Sequence, residues 1–167
     1  GMGGTAHQLF RATSIYDPDL TGLGHQPYGH DTFQGIYNHY RVVKAVIKIT
    51  SVEGEGNAIF GLTMTDDSTV SGSYDTVREV KPTKWIAVGD SNQSQCLTQT
   101  YDAMQTFGPA MQERLVGSFG IDPVENQYFD VWMQAANGPT GTAQLHSFVA
   151  AISYYVEFTE LKDLGGS

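Results

Sequence analysis

Residues 145–161 read LHSFVAAISYYVEFTEL. At the even positions Phe148, Ala150, Ile152, Tyr154, Val156 and Phe158 are all apolar, so the side chains alternate with period two over eleven residues. That pattern predicts a strand long enough to run across the middle of a sheet, with one face on a core. Residues upstream repeat it. In 40–52 the odd positions Val43, Ala45, Ile47 and Ile49 are apolar and Lys44, Lys48 and Thr50 lie between them. Ala58, Phe60, Leu62 and Met64 share one face of the next stretch, and the turn EGEGN at 53–57 predicts that these two strands form an antiparallel hairpin. Phe129, Val131, Met133 and Ala135 mark a further strand, closed by the turn residues Asn137, Gly138 and Pro139. Weaker patterns predict strands at 6–16, 84–88 and 93–103, and a helical turn or two at 109–116. About eight strands without an internal repeat fit an all-β fold of two packed antiparallel sheets, and the expected version is an eight-stranded jelly-roll sandwich.

One helix interrupts this pattern, between the first two strands. Pro18 pushes Asp17 away from helical geometry, and Gly22, Gly24, Pro27 and Gly29 extend a loop over 17–30. At Asp31 the chain changes character. Asp31 is placed to accept the free N–H groups of a helix start, with Gln34 three residues on as in a capping box, and Phe33, Ile36, Tyr37 and Tyr40 follow helical spacing. The result is a short helix with an aromatic underside, suited to covering the open edge of a sheet.

Composition narrows the function. The chain has 167 residues, 11% aromatic and 16% charged, with 19 glycines, a profile of one strand-rich domain with many turns. The expected division is a flexible start at 1–5, where Gly1 before Met2 looks like a tag remnant, a single domain over 6–164 and a short tail at 165–167. No run of 18 apolar residues and no basic start with an apolar core occurs, so neither a spanning helix nor a secretion signal is expected. The single Cys96 has no intrachain partner for a disulfide. A formal charge of −9 disfavours wrapping of nucleic acid by the body, since phosphate binding is carried by Lys and Arg. Six of the nine basic residues fall in two clusters, Arg41, Lys44 and Lys48, and Arg78, Lys81 and Lys84, which together form a candidate nucleic-acid-facing patch.

Enzymatic patterns fail. There is no G-x-S-x-G elbow, since Ser118 sits in GSFG, no phosphate loop, and no H-x-H or H-E-x-x-H that would organise His7, His25, His30, His39 or His146 around a metal. Asp17, Asp19, Thr21 and Gly22 imitate the start of a calcium loop, but Tyr28 stands where the closing Glu belongs. No cofactor is expected. The remaining calcium option is a looser subunit-interface site using Asp17, Asp19 or the pair Asp66 and Asp67.

The stretch DPDLTGLGHQPYGHDTFQGIYNHYRVVKAVIKIT, residues 17–50, resembles capsid proteins of small circular single-stranded DNA viruses that encode a replication initiator, the circovirus-like group. In these a P-x-x-x-G-x-G-H-Q-P loop precedes an aromatic Y-x-x-Y helix and a long strand. ISYYVEFTELKDL, residues 152–164, is similar to their closing strand. The resemblance implies a jelly roll, copies of which assemble inside the infected host cell into an icosahedral shell of sixty subunits in the simplest case, as part of a virion that encloses a circular single-stranded DNA genome. It implies no catalysis, and a host receptor that the sequence does not identify. It places Asp17, Asp19, His25, His30, Phe33 and Tyr37 in a loop and helix suited to subunit contact. The family's arginine-rich N-terminal arm, which neutralises packaged DNA, has no counterpart before Ala6. The competing reading is a jelly-roll carbohydrate-binding module with Trp85, Trp132 or Tyr28 as sugar platforms.

Overall fold

The computed structural model describes residues 5–22, 24–54, 56–69, 79, 83–89, 94–136 and 146–163. Among them are eight strands: β1 (Ala6–Arg11), β2 (Tyr37–Gly54), β3 (Ala58–Thr65), β4 (Thr83–Val88), β5 (Cys96–Asp102), β6 (Val116–Ser118), β7 (Tyr128–Ala135) and β8 (His146–Leu161). Helix α1 (His30–Gln34) lies between β1 and β2, and α2 (Ala103–Phe107) leads into a 3-10 segment, Pro109–Leu115. One sheet has the order β1-β7-β3-β4. The other is centred on β2, with β8 along one edge of it and β5 and the short β6 along the opposite edge. Every pairing is antiparallel, and the chain repeatedly crosses between the sheets, as expected of a jelly-roll sandwich.

The core lies between the two sheets. β2 supplies its spine, since Tyr40, Val42, Ala45, Ile47 and Ile49 are each at most 2% exposed. The inward row begins on even positions and continues on odd ones, because a bulge between Val42 and Lys44 inserts one residue. Val43, expected in that row, therefore falls outside it and Val42 takes its place. Phe129 and Val131 of β7 and Leu62 of β3 face β2 from the other sheet.

Several expectations change. β2 and β3 do not form a hairpin: β2 pairs with β5, β6 and β8, and β3 with β4 and β7, so the turn at 53–57 carries the chain from one sheet to the other. Among the described residues β8 pairs with β2 alone, which makes it an edge strand rather than a central one. β1 ends at Arg11 instead of reaching Tyr16, where Arg11 N–H donates to Pro18 O at 2.7 Å and Ala12 N–H to Gln127 O at 2.8 Å, and the chain bends inward. Residues 12–15 follow as a fully buried stretch. The helix is also shorter than its spacing suggested. It stops at Gln34, and Tyr37 and Tyr40 belong to β2. Its N-cap is Gly29 at φ 85° with no side-chain cap, so Asp31 is a first-turn acid and not the capping residue.

Candidate assembly surface

Loop 17–30 is built from Arg11 outward. The Arg11 guanidinium lies 3.1 Å from the Asp122 carboxylate and 3.9 Å from that of Asp17, and it also donates to the Asp17 carbonyl. Asp19 closes its own turn, accepting from Thr21 N–H at 3.0 Å and Thr21 Oγ1 at 2.8 Å, while its other oxygen accepts from Gln8 Nε2 at 3.1 Å. Gly24 is required here, because a Cβ on it would stand 2.5 Å from that of Asp19. Both carboxylates are thus used for loop geometry. The calcium-loop likeness of this segment is a turn motif, and among the described residues no three His, Cys, Asp or Glu side chains gather as a metal site would need.

The two histidines of the loop diverge. His25 is exposed, with Nδ1–H donating to the Gln26 carbonyl, whereas His30 is buried at 4% exposure, 3.1 Å from the Asp31 carboxylate and edge-on to Phe119 at 5.4 Å. α1 is fixed by aromatic packing. Phe33 stacks on Phe158 of β8 at 4.4 Å and Tyr37 lies 5.6 Å from the same ring, which in turn stacks on Phe119 at 6.0 Å. The helix therefore covers this chain's own core, but 38% of Phe33 and all of Tyr28 remain open to solvent. Of the six contact residues expected from sequence, His30, Phe33 and Tyr37 converge on one aromatic cluster. Asp17, Asp19 and His25 lie on the loop beside it.

The basic residues divide too. Arg41, Lys44 and Lys48 line the outer face of β2, paired in register with Glu157, Tyr155 and Ala151 of β8. Arg41 forms an ion pair with Glu157 at 2.5 Å, and Lys44 sits 5.6 Å above the Tyr155 ring with Asp102 opposite it on β5. Lys84 is on the other sheet, where its Nζ donates to the Thr98 carbonyl at 2.7 Å. Arg78 and Lys81 lie outside the described residues. Two of the three cations that share a face thus have an acid beside them, whereas Lys48 lies between Ala151 and Thr98.

Sequence spacing gave no sign of one further group. Ser118 Oγ lies 3.1 Å from His39 Nδ1, and His39 Nε2 lies 2.9 Å from Glu160. The order resembles a hydrolase relay, but His39 and Glu160 are 37% and 60% exposed, whereas the carboxylate of such a relay is buried against its histidine. It ties β6 to β2 and β8. Of the sugar-platform candidates, Trp132 is 1% exposed with Nε1–H donating to Thr63 Oγ1 at 3.0 Å, and Tyr128 beside it is also buried. Trp132 therefore has no face free to stack on a sugar, and the other two candidates, Trp85 and Tyr28, are exposed.

No family model and no curated protein matches the sequence. Among solved structures, the chain is similar to a deletion mutant of the Penaeus vannamei nodavirus capsid protein in a T=1 subviral particle, at 15% identity and a TM-score of 0.47 over 95% of this chain and 94% of that one. It is also similar to a chain of the empty head of turnip yellow mosaic virus, at 7% identity and 0.47 over 99% and 78%. A third is from sacbrood virus of honeybee, at 10% and 0.45 over 100% and 86%. All three come from RNA viruses. Scores at this level assign neither family nor function.

Proposed function

We propose that this chain is a viral capsid protein whose activity is self-association into a closed shell. The observation that carries the reading is the union of the two segments that resemble circovirus-like capsids. The loop, helix and strand of 17–50 and the closing strand up to Leu161 form one unit, with β2 paired to β8 from Tyr37 opposite Leu161 to Gly54 opposite His146 and α1 stacked on Phe158. Segments far apart in sequence thus sit together as one piece of architecture, which supports reading them as one motif.

In this reading the cargo is a circular single-stranded DNA genome, the simplest shell has sixty copies, and the protein functions in the virion after assembly in the host cell. The chain's charge of −9 and the acids beside Arg41 and Lys44 on the outer face of β2 favour neutralisation of the genome chiefly by an arginine-rich arm outside these 167 residues. Electron microscopy of the full-length gene product tests the shell, and nuclease digestion of extracted nucleic acid tests the cargo. Uniform closed particles that release DNA digested by a single-strand nuclease are expected. A monomer at all concentrations, or one that binds glycans, overturns the reading.

A further inference from the structure

Among the described residues β8 pairs with β2 alone, which leaves its other edge without a strand. Burial records the consequence: Tyr40, Val42, Ala45, Ile47 and Ile49 of β2 are closed from solvent, yet no residue of β8 is fully buried, although Phe148, Ala150, Ile152, Tyr154, Val156 and Phe158 pack on the same core. Two adjoining hollows, of about 330 and 300 Å3, lie between this inward row and the loop residues Pro27, Tyr28 and His25. An edge strand presents unpaired N–H and C=O groups, and proteins normally blunt such an edge with Lys, Pro, a bulge or short length. β8 uses none of these: from Ser147 to Val156 it has no charge, no Pro and no Gly.

We propose that this edge pairs with β8 of a second copy, antiparallel, about a two-fold axis at Ile152, so that the β2 sheet runs continuously through both copies. The strand is complementary to itself in that register. Phe148 falls opposite Val156, Val149 opposite Tyr155 and Ala150 opposite Tyr154, each a large side chain against a smaller one, and the two-fold axis forms every pair twice. The nearest charge, Glu157, falls opposite Ser147, so no like charges meet. Pairing also covers Val149 and Tyr155, now 59% and 55% exposed on the outer face, and closes the hollows with a second inward row. The inference rests on strand geometry and stands apart from the shell reading.

Sedimentation and light scattering of the 167-residue chain test it. The expected species is a pair, at twice the 18.2 kDa chain mass, or a larger assembly containing it. Val149→Glu with Tyr155→Glu sets carboxylates opposite each other at both ends of the ladder and raises the dissociation constant at least tenfold. Val149→Lys with Tyr155→Glu sets opposite charges at the same places and retains the pair, which controls for loss of Val149 and Tyr155 themselves. A monomeric unsubstituted chain, a pair that both variants leave intact, or one that both abolish overturns the proposal. Shells that form normally with the two-glutamate variant overturn the pairing and leave the shell reading intact, whereas a pair that never builds shells does the reverse.

Discussion

Gly61 and Trp132 are the clearest case of one residue dictating another. They are opposite each other on β3 and β7, and a Cβ on Gly61 would stand 1.8 Å from the indole ring. Gly61→Ala forces the ring out of its site and away from Thr63, and we expect a loss of about 1–3 kcal/mol, the usual range for overpacking a core. Thermal denaturation reads this as a fall in Tm of about 2–4 °C per kcal/mol for a chain of this size. Tyr40 gives a pH signature. Burial is the main cause that pushes its phenol up to about 12, while the hydrogen bond with Ser14 Oγ at 2.8 Å acts in the opposite direction. The group stays neutral in the fold and ionises near its ordinary value of 10.0 when unfolded, so its contribution is intact below pH 10 and is lost as pH rises towards 12. Tyr40→Phe should cost about 1 kcal/mol at neutral pH and flatten the alkaline fall in stability, as measured by urea unfolding on both sides of pH 10. Neither partner of these residues was legible in sequence. The alternation of β7 predicts one wet face and so a surface ring at Trp132, whereas Asp130, Trp132 and Gln134 on that face are buried as well.

At the scale of elements, what was legible was periodicity. β3, β7 and β8 fall within a residue or two of where alternation put them, because each alternates without interruption. β2 misled in one place, where the bulge at Val42 shifts the parity, and a bulge has no local composition signal. α1 misled in another. Phe33, Ile36, Tyr37 and Tyr40 have helical spacing, but only Phe33 is helical; Phe33 and Tyr37 meet because both pack on Phe158, a residue more than a hundred positions away. With five residues and no side-chain cap, α1 depends on that packing more than on intrinsic propensity. Phe33→Ala should therefore loosen the helix selectively. Amide exchange in 29–36 is expected to accelerate at least tenfold while β3 and β7 keep their protection, and equal acceleration everywhere would contradict this dependence.

For the whole molecule, alternating strands and turn signals were enough to indicate an all-β sandwich. Which sheet each strand joins was not, since β2 and β3 are neighbours in sequence and in different sheets, and β8, the most regular strand, lies at an edge because of non-local pairing. The candidate surface was half legible: motif order located the loop and the aromatic helix, but the use of Asp17 and Asp19 in turn geometry and the acids interleaved with Arg41 and Lys44 depend on the assembled sheets. The β8 edge, which pairs with no strand but β2 among the described residues, the partly exposed Phe33 and the exposed Tyr28 are the surface that the proposed contact between copies would use. The most direct measurement is cryo-electron microscopy of the purified full-length gene product. Closed shells of uniform size built from this single chain are the predicted result, and a preparation that stays monomeric at every concentration and ionic strength would contradict it.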